Sequence, residues 1–207
     1  MHERPSAGGA AYVVAVSGTS GAGKTTVVDQ AAAMLANSAR LQFDQYVTLG
    51  NDIATIKAWL ARGADPNELK TPEFAADLRR LRARETVESS NGRGTVRPAD
   101  VVIVEEPFGR TRLELAPLID FAVHLDVPPD VALARRTLRL IEVEAASDPA
   151  HALDLVVGQL RAYLAAGRDA YSAAARAARD SADLVLDGML PSQQLAAILV
   201  AEIRRRA

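Results

Sequence analysis

Residues 12–26 read Tyr-Val-Val-Ala-Val-Ser-Gly-Thr-Ser-Gly-Ala-Gly-Lys-Thr-Thr. The first five residues are apolar without alternation, the pattern of a short strand buried on both faces of a parallel sheet. Gly18-Thr19-Ser20-Gly21-Ala22-Gly23-Lys24-Thr25 then fits G-x-x-x-x-G-K-[ST] without a mismatch. Glycines let backbone N–H groups converge on phosphate oxygens where a Cβ would obstruct them. A helix opening at Lys24 adds the positive end of its dipole. In this cradle, formed by Gly18, Ser20, Gly21, Ala22, Gly23, Lys24, Thr25 and Thr26, Lys24 is expected to reach the outer phosphates. The Thr25 hydroxyl is expected to ligate Mg2+.

Outward from the loop, the pattern alternates between strands and helices. Strands are expected at 12–16, 41–43, 101–104, 121–125 and 184–186. Helices are expected from 24 to about 39, and at 52–62, 72–84, 130–144, 151–179 and 192–205. Thr71-Pro72 supplies a cap and a first-turn proline for the third helix. Gly63-Ala64-Asp65-Pro66-Asn67 marks a turn. The polar stretch 85–97, with Asn91-Gly92, reads as a hairpin or mobile loop. Such alternation implies a parallel sheet with helices on both faces, hence an α/β fold of three layers, α/β/α. Residues 1–10 read as a flexible N-terminal tail and 11–207 as a single domain. Within it lie a helical and hairpin insertion at about 47–97 and a helix region at about 130–150.

Bulk composition narrows the function classes. The 207 residues are 49% apolar, enough for a packed core. Their charge sum is 24 − 26 = −2, without the basic excess of a nucleic-acid binder. There is no cysteine, so thiolate metal sites and disulfides are excluded. His2, His124 and His151 are scattered, and none suggests a metal site. No apolar run is long enough to span a bilayer, and no signal-peptide pattern opens the chain. The expectation is a cytoplasmic protein without nucleic-acid or membrane partners, acting on a small molecule; a homodimer stays open.

A phosphate cradle does not say what becomes of the phosphate. Ligands in open parallel sheets gather at the carboxyl ends of strands. Strand 101–104 delivers Glu105 there, where an acidic group can hold a metal ion through water. Strand 41–43 delivers Asp44, which could take a proton from an attacking hydroxyl; a helix cap or turn residue reads equally well from the spacing.

The run Val-Ser-Gly-Thr-Ser-Gly-Ala-Gly-Lys-Thr-Thr at 16–26 resembles the uridine kinase and phosphoribulokinase family of P-loop kinases. So do Asp44-Gln45-Tyr46 after the second strand and Val102-Ile103-Val104-Glu105, although Glu106 stands where that family has glycine. Asp126-Val127-Pro128-Pro129, the arginine-bearing segment 134–139, and the segments 163–168 and 182–185 are similar to later family segments. The resemblance covers about 12–200 and is sharpest in its first segment. It implies a P-loop NTPase fold with a mainly five-stranded parallel sheet, ATP and Mg2+ as cofactors, Asp44 as catalytic base, and Glu105 with Thr25 at the metal. No Asn-Lys-x-Asp guanine signature occurs, so ATP rests on the likeness.

The resemblance also makes 130–150 a lid, with Arg135 and Arg139 on one face as catalytic groups and Arg136 toward the nucleotide; an ordinary solvated helix face is the bland alternative. The family's later Arg-Gly-Arg is missing. Arg110 and Arg112 past the third strand, with Tyr46 and Arg168, are the candidate acceptor contacts. Trp59 reads as a packing anchor. The hairpin 85–97 has neither Tyr nor His, and Ala162 precedes Tyr163, so a pyrimidine nucleoside is not indicated and the acceptor stays open. A nucleoside monophosphate kinase, using Arg110, Arg112, Arg79 or Arg80, and a non-kinase nucleotide switch are the alternative readings.

Overall fold

The computed structural model describes residues 9–47, 53–88, 94–145 and 148–207. Most of the expected tail (1–8), five residues of the insertion (48–52), the hairpin tip (89–93) and 146–147 in the lid region lie outside the described residues.

Strand β1 (Tyr12–Ser17) occupies the centre of a five-stranded sheet. Its neighbours are β5 (Val101–Glu105) and β6 (Phe121–Asp126), beyond which lie β2 (Ser38–Gln42) and β7 (Leu184–Asp187). Every pairing is parallel, so all five carboxyl ends emerge along one edge. A separate two-stranded antiparallel ribbon, β3 (Val87–Glu88) with β4 (Thr95–Val96), forms the expected hairpin.

Strand periodicity divides the core in two. Val14, Val16, Ile103, Val123 and Leu125 face α1 (Lys24–Met34) and α7 (Ser192–Arg206), meeting Val27, Val28, Leu195, Leu199 and Ile203. Val13, Ala15, Val102 and Val104 point the other way, onto Phe74, Leu78 and Leu81 of α3 (Pro72–Arg82). Sheet burial on both faces explains why β1 and β5 read as unbroken apolar runs.

Three boundaries differ from the sequence expectation. Helix α1 ends at Met34 rather than near 39, and β2 begins at Ser38. As an edge strand with one face open, β2 alternates buried Ala39 and Leu41 with polar neighbours, so only its end shows as apolar. The helix expected at 151–179 is divided into α5 (Pro149–Ala162) and α6 (Arg168–Asp180) by a π turn, Tyr163–Gly167. The insertion contributes α2 (Ile53–Ala61), and the lid region α4 (Pro129–Glu144), packed against α5. Among the described residues, no helix is long and apolar enough to cross a membrane.

Candidate functional site

Between β1 and α1 the chain makes a wide turn with three glycines at positive φ, Gly18 (147°) among them. Gly21 (φ 92°) and Gly23 (φ 88°) occupy left-handed backbone. A Cβ on Gly21 would lie 2.1 Å from the carbonyl oxygen of Ala132 in α4. No side chain caps the amino end of α1, so its first N–H groups are left for an anion. Gly21→Ala is expected to cost about 1–3 kcal/mol of stability, through forced displacement of α4. Thermal melts with and without an ATP analogue would show a lower midpoint and little rescue by nucleotide; an unshifted midpoint would contradict the close approach.

Lys24 folds over this loop and donates to the carbonyls of Gly18 (3.0 Å) and Thr19 (3.3 Å). Burial pulls its pKa down; Glu105 and Asp44 pull it back up, and Arg139 adds to the lowering. Thr25 Oγ1 donates to Glu105 Oε2 at 3.0 Å. Burial pushes the Glu105 carboxyl up, opposed by the Thr25 bond and Lys24, while Asp44 adds repulsion. Glu105 Oε1 is buried and has no hydrogen-bond partner. The site thus holds a cation and an acid whose charges burial disfavours, as expected where counter-charges are to arrive.

That orphaned oxygen and the adjacent hydroxyl are hard oxygen donors, the set that suits Mg2+. Among the described residues no group of three or more His, Asp or Glu gathers around one point. A magnesium ion at Thr25 and Glu105 would therefore complete its shell with water and phosphate oxygens, as Mg2+ commonly does.

In front of this floor opens a cavity of about 320 Å³. Lys24, Glu105 and Asp44 line one part of it; Asp44 sits in the single 3-10 turn, Phe43–Gln45, that ends β2. Much of the remaining wall is apolar, from Phe43, Ile56, Trp59, Leu69, Pro107 and Phe108, with the hydroxyl-bearing Ser20, Thr55 and Tyr171 among them. Trp59, expected as a packing anchor, does meet Phe108 edge-to-face at 6.4 Å, but it also faces the cavity. Its position was missed because a lone Trp on a short helix carries no signal of which side it presents.

A second cavity, of about 240 Å³, adjoins the first; Thr19, Ser20, Tyr171 and Ala175 border both. Arg136 and Arg168 line it, together with Thr19 and Ser20 of the phosphate loop. Arg136 lies over the rings of Tyr163 (5.7 Å) and Tyr171 (4.8 Å). The two rings stack at 6.3 Å. Eight positions apart in an α-helix they would be about 80° out of register. The wider π turn rotates less per residue and brings them onto one face. His124, at the floor, is held toward its neutral form by burial, against the pull of Asp126.

Other expected site residues fall elsewhere. Arg139 acts electrostatically on Lys24, but Arg135 donates to the Gly188 carbonyl beyond β7, at 3.3 Å. These two residues, four apart on α4, therefore act at different places. The substrate role expected of Arg110 is corrected: it binds Asp183 (2.6 Å) and the Asp120 carbonyl, at the amino ends of β7 and β6, the far edge of the sheet. Arg112 is likewise corrected. It is 3% exposed and grips the fully buried Glu106 through two bonds, 3.1 and 2.5 Å. Tyr46 donates to Asp77 at 2.8 Å and packs on Phe74 in the second core, behind the cavity wall.

Compared with known proteins, the sequence matches no family model and no curated protein. Solved structures do resemble it. A Silicibacter protein provisionally described as a fructose transport system kinase superposes with a TM-score of 0.56, at 21% identity, over 86% of this chain and 90% of its own. The shikimate kinase of Acinetobacter baumannii, solved with shikimate, gives 0.50 at 18% identity, over 93% of each chain. The chain has the three-layer α/β/α fold of P-loop kinases, with a five-stranded parallel sheet flanked by helices.

Proposed function

We propose that the protein is an ATP- and Mg2+-dependent kinase that transfers the γ-phosphoryl group to a hydroxyl of a small molecule. One observation carries this reading: Gly18, Thr19, Ser20 and Lys24 of the phosphate loop, Glu105 (bonded to Thr25) and Asp44 all line a single cavity large enough for a small acceptor.

The loop amides and the α1 amino end hold the phosphate chain, and Lys24 exchanges its two carbonyl partners for phosphate oxygens. Thr25 and Glu105 would hold Mg2+, which when bound neutralises charge on the phosphates. Asp44 accepts the proton of the acceptor hydroxyl as its oxygen bonds to the γ-phosphorus and the bond from phosphorus to ADP breaks. Arg139, already within electrostatic reach of Lys24, adds positive charge over the loop. The apolar walls around Trp59 and Phe108 displace water that would otherwise take the phosphoryl group.

The monophosphate kinase alternative needs arginines for an acceptor phosphate at Arg79, Arg80, Arg110 or Arg112. Those side chains pair with Glu114, Glu85, Asp183 and Glu106 respectively. The alcohol acceptor is therefore favoured.

An acceptor screen with ATP and Mg2+, across nucleosides, sugars, hydroxy acids and vitamins and read as ADP release, tests the proposal. Acceptor-stimulated release supports it; release at one slow rate regardless of acceptor contradicts it. Lys24→Ala is expected to lower kcat by about 10²–10³-fold and weaken ATP-analogue binding, with an unchanged circular dichroism spectrum. Retained turnover would contradict the cradle assignment.

A further inference from the structure

We infer that the acceptor is an alcohol with an apolar body and an oxyanion substituent, a carboxylate or phosphate, and that Arg136 reads the oxyanion. The inference rests on the kinase reading above and deepens it.

The body follows from the larger cavity. Phe43, Ile56, Leu69, Pro107 and Phe108 offer no side-chain hydrogen-bond group, and the Trp59 Nε1–H is already given to the Asp65 carbonyl at 2.8 Å. A polyhydroxylated ring pressed against these walls would lose its water without replacement, which opposes binding. An aromatic or alicyclic ring would gain from the same walls. The charged groups of the lining, Lys24, Asp44 and Glu105, form the floor, where the reacting hydroxyl belongs, and the hydroxyls of Ser20, Thr55 and Tyr171 lie elsewhere on the wall.

The charge follows from the smaller cavity, which shares Thr19, Ser20, Tyr171 and Ala175 with the larger. Arg136, Arg168 and Arg176 line it, and among the described residues none of the three has a carboxylate partner. Asp126, the one lining carboxylate among the described residues, is engaged by Arg179 at 3.2 Å. Arg168 and Arg176 are exposed, as solvated arginines commonly are. Arg136 differs: it is half-buried, with its Nε buried and without a hydrogen-bond partner. Contact with the Tyr163 and Tyr171 rings holds the guanidinium in place at the cavity wall. A planar fork held this way suits two oxygens of one anion. The π turn that aligns the two tyrosines is thus part of the recognition device.

Two measurements test this. Benzoate and benzamide share a ring and differ in charge, and fluorescence of Trp59, the single tryptophan, reports on the larger cavity. With ATP analogue present, benzoate is expected to bind roughly 10–100-fold more tightly than benzamide, and Arg136→Gln to remove the difference. Equal affinities, no binding of either probe, or a preference that survives Arg136→Gln would overturn the inference. The second measurement is ADP release with three alcohols: hydroxymethylbenzoate, its methyl ester, and hydroxymethylphenyl phosphate, in which a phosphate replaces the carboxylate and the alcohol stays free. Turnover of one anionic member with loss on Arg136→Gln identifies the source of the oxyanion; preference for the neutral ester overturns it. ATP-analogue affinity separates the two readings. Arg136→Gln should leave it unchanged, and a tenfold loss with benzoate binding unaltered would reassign Arg136 to the nucleotide and overturn the inference. Failure of the kinase reading would show instead as nucleotide binding indifferent to Lys24→Ala.

Discussion

Asp44→Asn is expected to lower turnover by about 10²–10⁴-fold, the range for removal of a positioned general base, while ATP-analogue affinity stays within about twofold. The side chain closes the β2 strand in a short 3-10 turn and shares its cavity with Lys24 and Glu105. The amide keeps the shape but cannot accept a proton from the attacking hydroxyl. Its lost charge also removes a repulsion from Glu105 and an attraction to Lys24, so the phosphate-binding floor is disturbed little. Single-turnover kinetics with the acceptor from the screen separates chemistry from binding. Near-normal chemistry in the variant would mean that another group, or water, takes the proton. Intact chemistry with a raised KM would reduce Asp44 to a hydroxyl-binding residue.

Glu106→Ala is expected to destabilise the protein by about 3–5 kcal/mol, the cost of leaving a buried charge without its partner. In a chain of this size that lowers the melting midpoint by roughly 6–20 °C. Arg112 would be stranded at 3% exposure, with only the Leu69 carbonyl (3.0 Å) and Thr71 hydroxyl (2.7 Å) left, over the faces of Phe43 and Phe74. Burial pushes the Glu106 carboxyl up, and the bidentate arginine pulls it back down. The pair ties the loop after β5 to the segment between α2 and α3, both of which line the larger cavity through Phe108 and Leu69. Acceptor KM should therefore rise at temperatures where the variant is still folded. Replacing both partners, Glu106→Leu with Arg112→Met, should recover stability to within about 1 kcal/mol, because no charge is left unpaired. A single variant as stable as the parent in thermal and urea melts would disprove the assignment.

The cradle was legible because its physics is local. Successive glycines, a lysine and a threonine must be adjacent in sequence to wrap phosphates at a helix start, so residues 18–25 announce themselves. The sheet was legible for a similar reason: strands buried on two faces cannot alternate, and residues 12–16 and 101–104 do not. Helix and strand boundaries were less so at β2, where an open face restores alternation, and at 163–167, where a π turn leaves no mark on composition. Glu105 and Asp44 could be placed at strand ends by counting, which puts them on the right edge of the sheet. The fate of the arginines could not be read that way. Arg110, Arg112, Arg135 and Arg136 are alike in sequence. Their roles depend on which group the fold brings to them: Asp183, Glu106, a carbonyl at Gly188, or the rings of Tyr163 and Tyr171.

Glu106 shows the division most clearly. Its departure from the glycine of the resembled kinases reads as a local defect in the sequence, and only its pairing with Arg112 in the folded chain makes it a buried cross-link. Sequence alone determined the fold class and the phosphate-loop pattern, since both leave their mark in consecutive residues: unbroken apolar runs for strands buried on two faces, and closely spaced glycines for the loop. Tertiary structure decided which charges are free to meet a ligand, because neutralisation depends on distance through space and not on separation along the backbone.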